Sequence, residues 1–503
     1  MEMVTGPKTK FADIYSELAL NQAALRAYTK PLFTWKKALG QSHDGLTLYD
    51  FARCTSSNLK QIHRQLENRQ FIFREGEAVR IESKGKERII YIFPWEERIV
   101  DLMLYHTLSE HFDKRFSHSC QAYRMGRYGV DYCQENVRQL IKRKGRPLYF
   151  IKRDVTNYFP TIDHDLLLEN LSQWVDPQDY LFDLLRQRIQ FLIKDGEDAE
   201  LNFLGVGFGT PIACFFANLY LNDMDHALNR VKGLHYFRYS DDMLAFSSNP
   251  EAVEEAATIM DQTFKIHKLT SKPSHHLDFQ FADEAQSPEN IEAWPVCDRF
   301  THLGLEFRSD QSVGLARDKS RKIQKIFRDE FRRRRRAFRR LTKPKSRAKK
   351  AVQIARQLIE EGFGSVALID YYLKHVNDQD QLKALDHWLA EEVLSVAFRN
   401  GHKKGNFHKL SFGRLRSMGL PSLRHRHRLL HHGQMDYSFL TWRTDKLIEQ
   451  QRRRLPAGRW RSPMTGFPPC PEAGTQNIPR EEEGVRLTGR RTVDSVTMTE
   501  SAG

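Results

Sequence analysis

The tetrapeptide Tyr239-Ser240-Asp241-Asp242 stands between two apolar runs, residues 234–239 and 243–246. This pattern predicts two strands joined by a tight turn with adjacent carboxylates at its tip. Asp is a poor strand residue, and neighbouring carboxylates repel unless a cation sits between them. An isolated Ser-Asp-Asp would be read as an ordinary turn capping a hairpin, but a third carboxylate lies upstream. Residues 148–153 form a short, largely apolar strand running into Asp154, and the chain then breaks into an aromatic turn ended by Pro160, which cannot continue a ladder. If that strand lies beside the hairpin, Asp154, Asp241 and Asp242 converge as a set of hard oxygen ligands suited to Mg²⁺, with Mn²⁺ as a substitute. Two such ions would clamp the attacking and leaving oxygens of an in-line phosphoryl displacement.

The chain is long enough, at 503 residues with 40% hydrophobic content, to bury two or three cores. It contains no run of about 18 apolar residues, and residues 1–10 hold no apolar signal core, so the expectation is a soluble intracellular protein without a membrane partner. The six cysteines include no Cys-x-x-Cys pair and read as reduced thiols. Net charge is +15, and its location is more informative than its size: residues 317–350 hold 18 Lys/Arg and 3 Asp/Glu, which accounts for the whole excess. Ile323, Ile326, Phe327 and Phe331 recur there at helical spacing, so one face can pack while Arg332, Arg333, Arg334, Arg335, Arg336, Arg339 and Arg340 project around it. A solvated face is the ordinary fate of a charge run. Five consecutive arginines, however, repel one another without an anionic partner, which favours sequence-independent contact with nucleic-acid phosphates.

Four regions follow. Residues 1–60 form an N-terminal extension with a helical pattern around Phe11 to Tyr28. Residues 60–310 alternate helices and short strands, an α+β layout. Residues 311–450 read as basic and helical, with Leu382, Leu385, Leu389, Val393 and Leu394 in an apolar stripe and a histidine-rich end at residues 424–432 that reads as phosphate-contacting rather than metal-binding. Residues 456–503 carry few apolar residues and are expected to be disordered.

At this point the residues resemble a known family. Tyr239 to Asp242 is similar to the Tyr/Phe-x-Asp-Asp motif of reverse transcriptases, and Asp154 to Asp163 to their first catalytic motif. Residues 88–100 resemble the opening fingers motif, residues 116–129 the next, and Gly205 to Leu221 the glycine-rich segment and helix that cradle nucleotide and template. Lys272 is read as the lysine of the following motif, and residues 300–305 resemble the hairpin that grips the primer. The resemblance covers about residues 60–310. It departs from the pattern at Gly207-Phe208-Gly209, where Pro-Gln-Gly is usual; in this it is closer to bacterial defence-associated and abortive-infection enzymes, related to those of group II introns and retrons.

The resemblance implies a right-hand polymerase fold of fingers and palm followed by an α-helical thumb. It implies an RNA-directed DNA polymerase in which Asp154 and Asp241 hold two Mg²⁺ ions, with the Val155 carbonyl as a further ligand and Asp242 tuning or sharing the site. Lys86, Arg88, Phe159, Phe208, Gly209 and Lys272 would contact the nucleotide, the Phe159 ring excluding a 2′-hydroxyl. The implied partners are dNTPs, a DNA product and an RNA template, in particular a dedicated non-coding RNA copied in bacterial antiphage defence. A homo-oligomer is among the expected assemblies, and a bacterial cytoplasm is the expected setting. Relatives that prime from protein draw attention to Ser495, Thr497, Thr499 and Ser501. Three alternatives stay open: a mobile-element reverse transcriptase, an RNA-dependent RNA polymerase, and a non-catalytic RNA-binding scaffold.

Overall fold

The structure is a computed structural model; it describes residues 7–29, 41–42, 44–83, 86–126, 128–195, 198–273, 276–282, 294–360 and 373–432. The first part of the chain comprises α1 (Phe11–Ile14), α2 (Glu17–Thr29), α3 (Leu48–Arg53), α4 (Thr55–Glu67), β1 (Gly76–Ser83), β2 (Lys86–Ile92), α5 (Trp95–His111) and α6 (Val130–Arg143). The middle part runs β3 (Leu148–Asp154), α7 (His164–Ser172), α8 (Tyr180–Ile189), β4 (Leu192–Asp195), β5 (Asp198–Leu201), α9 (Pro211–Tyr220), α10 (Asn222–Arg230), β6 (His235–Tyr239), β7 (Asp242–Ser247), α11 (Pro250–Ile266) and β8 (Leu277–Phe281). Then come β9 (Arg299–His302), β10 (Leu305–Arg308), β11 (Val313–Leu315), α12 (Arg317–Arg333), α13 (Arg335–Arg339), α14 (Pro344–Glu360), α15 (Gln379–Phe398), α16 (Asn406–Lys409), α17 (Phe412–Ser417) and α18 (Leu423–His431). The layout is mixed α+β, as the sequence pattern predicts.

The central sheet has the order β6-β7-β3-β8, with β3 antiparallel to both neighbours. Its two faces meet different cores, and the period-2 alternation of a strand decides which residue goes where. Tyr149 and Ile151 of β3 enter one core with Met243 and Ala245 of β7. Leu148 and Phe150 enter the other with Leu244 and Phe246, against the β9–β10 hairpin and the C-terminal helices. Asp154 and Asp242 have the parity of this second set and are directly opposite one another in register. They therefore stand at the end of the sheet, on the face the hairpin covers. A second sheet, β2-β1-β4-β5, carries the long β1–β2 hairpin, and β11-β10-β9 forms a third.

The helical pattern expected over Phe11 to Tyr28 is interrupted: Tyr15 is extended, and the Ser16 hydroxyl accepts a hydrogen bond from the Ala19 amide at 3.1 Å, starting α2 as a separate helix. Leu382, Leu385, Leu389, Val393 and Leu394 are all buried along α15. The histidine-rich end also differs from a phosphate-facing surface at one position. His427 is buried on α18 with its Nε2 2.5 Å from the Val376 carbonyl, because it occupies the packed side of that helix. The tail after Pro456, with Ser495, Thr497, Thr499 and Ser501, lies outside the described residues, as does Cys470. No described helix is long and apolar enough to cross a membrane.

Candidate active site

Tyr239 pairs with Asp242, so Ser240 and Asp241 alone form the turn between β6 and β7, and Ser240 takes a left-handed φ of 60° to close it. This geometry is held from beneath by Arg238. Its guanidinium is fully buried, lies 2.5 Å from Asp225 Oδ2 on α10, and donates to the Ser240 carbonyl at 3.4 Å. The Tyr236 hydroxyl donates to the same Asp225 at 3.0 Å. Asp241 is tied to β3 through its carbonyl, which accepts from the Val155 amide at 3.3 Å, while the Asp154 carbonyl accepts from the Lys272 amide at 2.8 Å. Asp154, Asp241, Asp242 and Lys272 are thus brought together by backbone pairing before any side chain is considered.

The three carboxylates have unequal surroundings. The Lys272 ammonium contacts Asp154 Oδ1 and lies 4.0 Å from Asp241 Oδ2, so one protein cation is shared by two carboxylates. That charge is insufficient for both: burial, then the neighbouring Asp154, pushes the Asp241 carboxyl up to about 6. Asp242 does not share this ammonium and meets other cations. Its Oδ1 lies 3.3 Å from Lys152 Nζ and 3.4 Å from His302 Nδ1. Burial alone would raise its pKa, but His302 and Lys152 together hold it down at about 2. The Lys152 ammonium also donates to the Thr301 carbonyl at 3.0 Å, so the same group clamps the β9–β10 hairpin onto the sheet.

Among the described residues, no group of three or more His, Cys, Asp or Glu is gathered in metal-ligating fashion. The pair Asp154 and Asp241 nevertheless fits a hard cation: two carboxylates, both oxygen donors, already share one ammonium.

The residues expected to contact a nucleotide divide. Phe159 is almost buried, its ring edge-on to Phe208 at 5.7 Å and to Tyr123 at 6.1 Å, and the Arg88 guanidinium lies 5.6 Å over the Phe208 ring. Gly209, at φ +106°, brings its backbone against Ile90 and Tyr91 of β2. Gly205 is more tightly constrained, since at φ +80° an added Cβ would sit 2.6 Å from the Pro160 carbonyl oxygen. The glycine-rich segment is thereby pressed onto the turn that follows Asp154. Tyr123 joins this aromatic cluster to the hairpin, its hydroxyl donating to Ser240 Oγ at 3.4 Å. Lys86 opens β2 at the tip of the β1–β2 hairpin, opposite Ser83. Lys272 is engaged by the aspartates.

Residues 79–276 match the family model described as "Reverse transcriptase (RNA-dependent DNA polymerase)". That match marks a reverse transcriptase domain within the chain. No curated protein matches the chain by sequence. Among solved structures, an apo telomerase from Candida tropicalis truncated from its C-terminal domain is 14% identical with a TM-score of 0.37, covering 55% of this chain and 63% of that one. A telomerase from Candida albicans, in complex with the TWJ fragment of telomeric RNA, is 10% identical with a TM-score of 0.39, covering 74% of this chain and 69% of that one. At these scores neither likeness bears on function.

The aspartates have functional neighbours that sequence reasoning passed over. Lys152 was visible in principle, being two residues before Asp154 and so on the same strand face. Tyr123 lay inside the second fingers motif without a role. Asp225 and His302 had no local signal. Beyond the domain, the arginine run is less isolated than expected: Arg332 lies 3.5 Å from Asp329, and Arg333 and Arg334 lie 2.9 and 2.8 Å from Glu330, because the helical turn returns these acidic residues to the same side. Arg335, Arg336, Arg339 and Arg340 have no carboxylate partner among the described residues.

Proposed function

We propose that the chain is an RNA-directed DNA polymerase whose active centre is Asp154, Asp241 and Asp242. The observation that carries this reading is the pair Asp154 and Asp241, two carboxylates that share the ammonium of Lys272 at the end of the central sheet, within residues that match the reverse transcriptase model. Asp154 and Asp241, with the Val155 carbonyl, would hold Mg²⁺, or Mn²⁺ in its place. The ions would supply the charge that lowers the barrier to attack of a primer hydroxyl on the nucleotide α-phosphate.

The protein's own residues do the rest. Asp242, held by Lys152 and His302, ties the primer-grip-like hairpin to the catalytic turn. Lys272 neutralises Asp154 when no nucleotide is present and is released to meet incoming phosphate. Lys86, by its place at the start of β2, would join Arg88 in neutralising the triphosphate, Gly209 would let the base pair approach, and the Phe159 ring, braced by Phe208, would fill the volume a 2′-hydroxyl needs, selecting dNTPs. Arg333, Arg336 and Arg340 bind the phosphates of the template–product duplex.

The wider role we propose is bacterial antiphage defence in a cytoplasmic setting, copying a dedicated non-coding RNA, with a homo-oligomer as one assembly. What supports it is the departure at Gly207-Phe208-Gly209 from the segment usual in retrotransposing enzymes. Incorporation of labelled dNTPs on a primed RNA template in Mg²⁺ tests the first claim. The Asp241→Asn/Asp242→Asn double variant should bind RNA but incorporate nothing, and undiminished incorporation would remove the reading. Phage plaque counts with the intact locus and with the same double variant test the second, and equal counts across a broad panel would refute it.

A further inference from the structure

A cavity of about 560 Å³ opens between α12, α13 and the C-terminal half of α15, away from the aspartates. Arg328, Arg332, Arg335 and Arg339 line one wall, and their spacing of four, three and four residues sets them in a single stripe along the two nearly continuous helices. Arg399 and His402 line the opposite wall. Arg399 sits at the C-cap of α15 in the left-handed region, φ 57°, and donates to the Phe338 carbonyl at 3.2 Å, which ties its guanidinium to α13. The apolar part of the lining is Phe331 and Phe338, packed edge to face at 6.2 Å, with Val396.

The charge balance inside this space is one-sided. Among the described residues Glu392 is the one carboxylate in the lining, and it is already engaged by Arg328 Nε at 3.2 Å and His402 Nε2 at 2.7 Å. Arg332 turns partly to Asp329, outside the lining. Arg335, Arg339 and Arg399 meet no carboxylate among the described residues. Guanidinium groups in a fixed fork are the side chains best matched to phosphate oxygens, and they also stack on planar rings. The volume is that of a pocket for a small organic ligand rather than of a niche for a bare ion. An apolar aromatic floor with a cationic rim suits a molecule that has a flat ring at one end and several phosphates at the other.

We propose that this cavity is a second nucleotide site, binding the polyphosphate of a nucleotide between Arg335, Arg339 and Arg399 with its base against Phe331 and Phe338. The same chemistry has two sources, a free nucleoside triphosphate and the triphosphorylated 5′ end of an RNA. The site is separate from the palm, and the inference holds whether or not Asp154, Asp241 and Asp242 catalyse polymerisation. It also divides the arginine run by function: Arg332, Arg335 and Arg339 face the cavity, while Arg333, Arg336 and Arg340 do not line it.

The test uses the full chain in EDTA, where metal-dependent binding at the palm is suppressed. A fluorescent ATP analogue is titrated by anisotropy, and 8-azido-ATP is photo-crosslinked and mapped by mass spectrometry. Crosslinks are expected within residues 328–339 or 392–402. Arg335→Gln and Arg399→Gln should each weaken binding by about tenfold, the loss of a charged hydrogen bond, while Arg399→Lys, which keeps the charge, should lose less and should melt like the parent, separating lost recognition from lost fold.

Competition identifies the source. Displacement by a 5′-triphosphate RNA and not by the same RNA with a 5′-hydroxyl assigns the RNA end, and displacement by ATP with no difference between the two RNAs assigns the free nucleotide. Crosslinks confined to palm residues, unchanged affinity in both Gln variants, or inorganic triphosphate competing as strongly as ATP would each overturn the proposal.

Discussion

Replacing Asp242 by asparagine is expected to destabilise the metal-free protein, whereas replacing its neighbour Asp241 is expected to stabilise it. Asp242 is held at about 2, below its value of 3.8 in an unfolded chain, by His302 and Lys152. Its contribution is therefore fully present above about pH 4 and is lost as pH falls through 2. At neutral pH the depression corresponds to about 2 kcal/mol, and the variant also leaves Lys152 nearly buried without its partner. Asp241 has the opposite sign. Its folded value of about 6 lies above the unfolded 3.8, so its stabilising share is present below pH 4 and is lost as pH rises through 6. With 39% of the side chain exposed, solvent screening reduces the effect of ionising it to about 1 kcal/mol. Thermal melts in EDTA at pH 7.5 should place Asp242→Asn about 4–8 °C below the parent and Asp241→Asn a few degrees above it. Repeating the melts at pH 4 should bring Asp241→Asn back to the parent. A fall in Tm for both variants at pH 7.5, or no change for Asp242→Asn, would refute the division of labour between the two carboxylates. Saturating Mg²⁺ should raise the parent's Tm and leave Asp241→Asn nearly unmoved.

Asp225→Ala strands the buried Arg238 guanidinium and should cost about 3–5 kcal/mol in denaturant unfolding; a loss below about 1 kcal/mol would show that the hairpin does not depend on this pair. Gly205→Ala combines a positive φ with a clash against the Pro160 backbone, and should lower Tm while raising the KM for dNTPs, whereas parent-like kinetics would dissociate the glycine-rich segment from the turn after Asp154. Phe159→Ala should collapse the dNTP-to-rNTP ratio by the equivalent of about 1–3 kcal/mol, and equal use of both nucleotides by the parent would remove Phe159 as a gate. Changing Arg333, Arg336 and Arg340 to Gln should flatten the slope of log K against log salt for duplex binding by about 0.9 for each phosphate that is no longer neutralised, and an unchanged slope would return them to a solvated face.

The elements that frame the site were legible from local pattern. Apolar runs on both sides of Tyr239 to Asp242 mark a hairpin because a tight turn between two extended segments is a consequence of backbone sterics within a few residues. The aromatic turn that follows Asp154 and is closed by Pro160 is legible for the same kind of reason. Strand parity even orders the side chains of β3, since Asp154 and Lys152 must share a face. The buried stripe from Leu382 to Leu394 follows from helical periodicity in the same way.

What only the tertiary structure decided is which charges meet. Asp225 is on a helix that precedes Arg238 in sequence, His302 is on a hairpin far downstream of Asp242, and Lys272 reaches Asp154 through a backbone bridge between distant segments. The arginine run shows the same boundary. Its spacing is written in the sequence, but the choice between a solvated face, ion pairs to Asp329 and Glu330, and the wall of a cavity depended on where α15 packs. Periodicity is a short-range property of the chain. Coulomb interactions in a protein are set by distance and burial, and both are known only once segments remote in sequence have been brought together and water has been excluded between them.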